Sequence, residues 1–371
     1  MKKSLLALAV LGAYAGVASA QSSVTLYGTI DLSGKYVKND TAPGVKDDRY
    51  SLSRDGINSS QLGLRGIEDL GGGLKAGFLL LSSVGADSGD LGAGQSATGS
   101  GKLWTRRATV SLFSNAGELR LGRDYTPTFW NNTIFDAFGT NGLGDSSHVL
   151  QLATTTFVRA DNSIGYFLPG AIGGFYGQIM AAAAEPGQAG QTSNNGKYWG
   201  GRIGFAAGPF DIAGAWGQQN NVTFPTLGNK QDTWNIGGAW DFGFLKIMGY
   251  YDHDKNDLAH EDRASASVVV PLGQGEVHVG YSRSKLKVDN APVCITPIGG
   301  GACPGFDNVI YQWAATYQYN LSKRTALYAT FSDLSNGDHS QASVASGTSS
   351  PGNPVLDGKS KGYELGIRHF F

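Results

Sequence analysis

Residues Val309–Tyr319 read VIYQWAATYQY, and their period is two. Val309, Tyr311, Trp313, Ala315, Tyr317 and Tyr319 fall on one side of an extended chain, while Gln312, Thr316 and Gln318 fall on the other. Successive side chains of a strand point to opposite faces, so this stretch is a strand with one apolar and one polar side. The same alternation recurs upstream. Val24, Leu26, Gly28, Ile30 and Leu32 oppose Thr25, Tyr27, Thr29 and Asp31, and Leu62 and Leu64 oppose Gln61, Gly63 and Arg65. Val158, Ala160, Ile164 and Tyr166 oppose Arg159, Asp161 and Ser163, and Trp234, Ile236 and Trp240 oppose Thr233, Asn235 and Gly237.

Soluble sandwiches alternate too, so the lengths and connections decide. The segments run about 9 to 12 residues, the length a tilted strand needs to cross a bilayer. Aromatic residues gather toward segment ends, as in the girdles of membrane barrels. Short glycine- and proline-rich links fall at 69–73, 114–117, 168–173, 206–209, 241–243, 271–275 and 320–324. Long links fall near 37–56, 85–102, 125–153, 185–197, 220–230, 252–262, 287–307 and 335–359. Short turns on one side and long loops on the other predict a 16-stranded antiparallel transmembrane β-barrel. A lipid-exposed sheet must close on itself, since hydrocarbon offers an open edge no partner. A barrel this wide holds an aqueous lumen. Water there satisfies the polar faces, which accounts for a mean hydropathy of −0.18 in a membrane protein.

Composition agrees. Glycine supplies 55 of 371 residues without a collagen period, and only 16% of residues are charged. Lys plus Arg number 29 against 30 Asp plus Glu, which leaves no electrostatic footprint for nucleic acid. Residues 1–20 read as a signal peptide: Lys2 and Lys3, an apolar Leu5–Val17 run, and a small-residue Ala18-Ser19-Ala20 site. The barrel domain is then 21–371, placed in the outer membrane. Asn162–Ala184 is uncharged for 23 residues, but Pro169 and five glycines make it strand, turn, strand rather than a spanning helix. Cys294 and Cys303 form one close pair, read as a disulfide closing a small loop in an exported protein.

An ordered set of motifs carries a resemblance. SSVTLYGTID (22–31), LGLRGIEDLGGGLKAGF (62–78), ATVSL (108–112), ELRLGRDYTP (118–127), RADNSIGYFLP (159–169) and GYELGIRHFF (362–371) together resemble the trimeric general porins of Gram-negative bacteria, in particular the beta-proteobacterial branch. The resemblance implies a homotrimer in outer-membrane lipid and lipopolysaccharide, conducting ions and small hydrophilic solutes without a cofactor. It implies that Tyr363, Leu365, Ile367 and the terminal Phe371 form an assembly signal read by the outer-membrane insertion machinery. It further implies that the long loop between Asp124 and Ala153 folds into the barrel and narrows it, with acidic groups facing a basic wall.

The acidic candidates are Asp136 and Asp145, with Asp124 at the loop's root; Asp136 in FDAFG is favoured. On the basic side the family's second-strand arginine is Gln61 here, which removes one charge. Arg65 faces the same way but nearer the periplasmic turn. Arg159 combines resemblance with alternation. The resemblance points Arg106 inward, whereas alternation with Thr105, Thr109 and Ser111 favours Arg107. Asp31, Asp161 and Glu276 on polar faces offset part of this field, so the expected ion selectivity is weak.

Enzyme readings fare poorly. Gly144-Asp145-Ser146-Ser147-His148 gathers triad residue types, but a triad needs spatial geometry, not adjacency. Asp252-His253-Asp254 and His260-Glu261-Asp262 have metal-ligand types but are read as one exposed loop. The alternative from another class is a plugged barrel acting as adhesin or receptor through its outer loops. A substrate-specific porin needs an aromatic track inside, for which Tyr27 and Tyr250 are too few.

Overall fold

The computed structural model describes residues 23–92, 102–152, 157–170, 172–184, 196–220, 230–289, 305, 307–337 and 339–371. The leader (1–20) and the Cys294/Cys303 pair lie outside the described residues. The wall strands are β1 (Ser23–Ala42), β2 in two segments (Val45–Ser53 and Gln61–Gly71), β3 (Leu74–Gly85), β4 (Arg107–Ser114), β5 (Gly117–Tyr125), β6 (Arg159–Phe167), β7 (Phe175–Ala182) and β8 (Tyr198–Ala207). They continue as β9 (Phe210–Asn220), β10 (Lys230–Asp241), β11 (Lys246–Asn256), β12 (Ala259–Leu272), β13 (Gly275–Val288), β14 (Asp307–Asn320), β15 (Thr325–Gly337) and β16 (Lys359–Phe370). A two-residue strand, Asp90–Leu91, pairs only with β3 and adds no stave. The result is a closed sheet of sixteen antiparallel strands.

Closure joins β16 to β1, from Thr29↔Phe370 to Asn39↔Ser360. Phe371 extends it, exchanging backbone hydrogen bonds with Gly28 at 3.1 and 3.2 Å. Only glycine fits at position 28, because a Cβ there would lie 2.4 Å from the Phe371 ring and 2.6 Å from the Gln61 carbonyl.

The two faces divide as alternation requires. On β16, Tyr363, Leu365, Ile367 and Phe371 are exposed, Leu365 to 70%, whereas Ser360 and Glu364 are buried on the opposite face. Val110, Ile179, Ile203, Ile236, Ile247 and Leu327 continue this apolar outer belt. Aromatic clusters bound it. Phe210, Trp240, Phe242 and Phe244 gather at the short-turn end, and Trp234 with Tyr251 and Tyr281 with Trp313 at the other. Trp234 and Trp240 are six residues apart, or about 20 Å along the strand, which suits the apolar thickness of an outer membrane.

Two of the long links are shorter than the sequence indicated. β1 runs to Ala42 and turns tightly at Pro43-Gly44 (Gly44 φ +76°), so the first connection is a hairpin rather than a loop. Asp252–Asp254 and His260–Asp262 lie in paired strands with only Asp257-Leu258 between them. The polar residues there misled because Asp252, Asp254, Glu261 and Arg263 face inward as a buried ion cluster, at 2.7 to 3.7 Å from the guanidinium. No cluster suited to a metal ion occurs among the described residues.

Candidate pore constriction

After Tyr125 the chain leaves the wall. Thr126 caps a short helix, α1 (Pro127–Ile134): its hydroxyl accepts from the Phe129 N–H, and Pro127 stands where no donor is missed. The helix and the segment beyond it, to Leu152, hydrogen-bond along the polar face of the wall. Asn131 donates to the Ala213 carbonyl and to Asn235, and Asn132 donates to Asp252 (2.9 Å). His278 meets the Ala137 carbonyl at 2.7 Å, and Gln312 donates to that of Leu143. Glu261 accepts from the N–H groups of Gln151 and Leu152.

Three apolar side chains fix this loop into notches. Phe135 lies against Gly237, Phe138 against Gly280 and Leu143 against Gly362, where a wall Cβ would sit 2.3, 2.6 and 2.8 Å away. All three glycines occupy buried, lumen-side positions of β10, β13 and β16. At its far end Asn141 accepts a 2.7 Å hydrogen bond from Ser59. Ser59 belongs to residues 54–60, which bulge from the wall between the two halves of β2.

A cavity of about 420 Å³ separates this loop from the facing wall. Gln61, Arg106, Arg107, Tyr125 and Arg159 line one side, and Trp130, Thr133, Asn141 and Asp145 line the other. Arg106 and Arg107 thus both reach it. Arg107 follows the alternation of Thr109 and Ser111, whereas Arg106 precedes the strand and is free of it. Arg159 opens its strand, and its Nη2 lies 3.1 Å from the Tyr125 hydroxyl, as does Nη2 of Arg106. The alternation expected around Arg159 is broken three residues later. Asn162 takes φ +53°, so Ala160 packs with Met180, Ala182 and Tyr198. Asp161 pairs with Arg123 (2.7 Å) and Lys102 (2.6 Å).

Of the acidic candidates, only Asp145 lines the cavity with the arginines. Its carboxylate accepts from the Ser147 N–H (2.7 Å), and burial holds its pKa above the usual range. Asp136 turns into its own loop, accepting from Phe138 N–H, Thr140 N–H and the Ser146 hydroxyl, and burial pushes it up to about 6. Asp124 is bound to Arg107 (2.7 Å) and Arg120 (2.6 Å). Arg65 is exposed, its guanidinium 5.2 Å over the Tyr27 ring. Asp31 accepts from the Asn58 N–H and the Tyr328 hydroxyl, and Glu276 sits 3.1 Å from His278. Sequence reasoning missed Tyr125 and the glycine notches. The available signal was glycine at lumen-side positions inside strands, which marks close approach by another chain segment.

A closed sixteen-strand barrel with an apolar belt outside and polar residues on its other face is a membrane channel. The chain belongs to the Gram-negative porin family, whose model matches residues 7–339. It is 36% identical over 384 residues to outer membrane porin protein 32 of Delftia acidovorans, covering all of both chains. It is 30% identical over 417 residues to an outer membrane porin protein of Bordetella pertussis, again over all of both. Among solved structures it is similar to the anion-selective porin from Comamonas acidovorans (TM-score 0.76, 32% identity, 95% of this chain and 100% of that one). Salmonella typhi OmpF shares the fold (TM-score 0.65, 15% identity, 94% of this chain and 97% of that one). The protein is an outer-membrane porin, and its family is one of channels rather than enzymes.

Proposed function

We propose that the 420 Å³ cavity is the constriction through which ions and small hydrophilic solutes diffuse, and that it prefers anions. One observation carries this reading: three guanidiniums reach it, one of them (Arg107) bound to Asp124 in the wall, whereas the carboxylate that lines it, Asp145, has its ionisation opposed by burial. Charge at a narrow passage acts with little screening and so sets ion preference. Arg106, Arg107 and Arg159 form the basic side, with Gln61 a neutral member and Arg65 a peripheral one nearer the periplasmic end. Asp145 forms the acidic side; Asp136 and Asp124 support the geometry. This predicts a clearer anion preference than strand charges alone indicated, since the Asp161 carboxylate is paired with Arg123 and Lys102. The Comamonas relative, described as anion-selective, supports the same sign. The test is the reversal potential of the refolded protein across a KCl gradient, in wild type and Arg159→Ala. A cation-selective wild type, or an unchanged ratio in the variant, refutes the assignment.

The same reading includes a homotrimer seated in outer-membrane lipid and lipopolysaccharide, consistent with a trimer form solved for the fold relative OmpT of Vibrio cholerae. Conductance steps in threes and an unheated trimer band test it. It also includes cleavage after Ala20, a Cys294–Cys303 disulfide, and a terminal strand that addresses the insertion machinery through its exposed Tyr363, Leu365, Ile367 and Phe371. N-terminal sequencing, thiol labelling and assembly of a Phe371 deletion test these in turn.

A further inference from the structure

We propose that Tyr125 is the positioning residue of the constriction, holding Arg106 and Arg159 in place without adding a negative charge beside them. The proposal rests on the reading of that cavity as the conduction path. The Tyr125 phenol oxygen lies 3.1 Å from Nη2 of Arg106 and 3.1 Å from Nη2 of Arg159. The Arg159 guanidinium carbon also sits 4.7 Å above the phenol ring, and that of Arg107 lies 5.9 Å away. Three cations thus share one aromatic side chain, two through its oxygen and two through its face. The ring itself is fixed from the loop side, stacked on Phe129 at 5.5 Å and met edge-on by Trp130 at 5.1 Å, both on α1.

The choice of a phenol matters because of what the protein does with other buried arginines. Arg107 is held by Asp124, Arg120 by Glu118 and Asp124, and Arg263 by Asp252, Asp254 and Glu261. Each such carboxylate fixes a guanidinium but removes its field. A phenol oxygen accepts two N–H donors while remaining neutral, so it orders two like charges side by side and adds no negative charge. Because the ring also packs on α1, the position of the loop and that of the arginines are set by one residue. The width of the passage and the sign of its field are therefore coupled.

The experiment is a cycle of Tyr125→Phe, Arg159→Ala and the double variant, read by single-channel conductance and reversal potential in a KCl gradient. Tyr125→Phe keeps the stacking and the cation–π contacts and removes only the oxygen. The expected result is a roughly twofold or greater fall in the anion-to-cation permeability ratio, since hydrogen bonds to charged groups are the stronger class. In the Arg159→Ala background the further effect of Tyr125→Phe should shrink. Tyr125→Glu, which puts a carboxylate between the same arginines, should abolish or invert the preference. A wild-type ratio in Tyr125→Phe, or full additivity in the double variant, overturns the role of Tyr125. An unchanged ratio in Arg159→Ala instead overturns the constriction assignment beneath it.

Discussion

Gly237→Ala adds one carbon behind the constriction loop, and its consequence follows from distances already given. The new Cβ would lie 2.3 Å from Phe135 Cδ2, 2.9 Å from Cγ and 3.1 Å from Cβ. Ordinary contact begins near 3.4 Å, so a shift of about 1 Å is needed. Because the clash includes Phe135 Cγ and Cβ, turning the ring does not relieve it, and the backbone of the loop must move. Phe135 is completely buried, and overpacking of such a site costs roughly 1–3 kcal/mol. The loop is pushed from β10 toward the arginine wall, so the passage narrows. Gly280→Ala is milder: only the far edge of the Phe138 ring is closer than 3.5 Å, and the ring can tilt. Gly214→Ala is the control, since its nearest neighbour is 3.8 Å away. The assay is single-channel conductance of the folded protein, with conductance lowest in Gly237→Ala, intermediate in Gly280→Ala and unchanged in Gly214→Ala. Equal conductance in all three would refute the claim that the glycine notches set the loop's position.

The remaining predictions concern protons, lipid and closure. Burial lowers His148 from 6.5 to about 4, so acidification from 6.5 to 4 protonates the unseated loop first and weakens the seat, by up to about 3 kcal/mol before screening of its partly accessible ring. Burial raises Asp136 from 3.8 to about 6, so acidification from 6 to 3.8 strengthens the seat by about 3 kcal/mol. The two oppose each other. Wild-type gating should vary little between pH 7 and 4.5, and His148→Gln should show fewer closures at pH 4.5 than at 7; identical pH profiles would contradict this. Leu365→Arg, on the exposed mid-strand apolar face, should destabilise the barrel in lipid by about 2–4 kcal/mol, measured by urea unfolding in bilayers. Gly28→Ala meets the Phe371 ring and the Gln61 backbone at once, and should reduce the yield of heat-modifiable barrel far more than Gly34→Ala, whose nearest neighbour is 4.0 Å away.

The barrel was legible because its signal is local. Alternation, as at Val309–Tyr319, and glycine turns report strand and turn without any distant partner. What failed were breaks in that local rule. A positive-φ Asn162 interrupts the alternation next to Ala160 and Asp161. Polar residues such as Asp252 and Glu261 read as loop because their partner, Arg263, was not identifiable as such. The residue types around the candidate cavity were legible in the sequence, but not the directions of their side chains. Asp136 and Asp145 look alike in sequence, yet hydrogen bonds to Phe138, Thr140 and Ser146 turn one into the loop while the other faces the arginines. Arg106 and Tyr125 sit at strand ends, where period-two reasoning has nothing to say.

The three glycine sockets also impose an order of events. They lie on β10, β13 and β16, and β16 is the strand that meets β1 to close the barrel. The loop emerges between β5 and β6, long before its last socket exists. Leu143 cannot dock at Gly362 until the final staves are in register, so during insertion the loop lacks its last anchor. The aperture is therefore the last dimension of the molecule to be set.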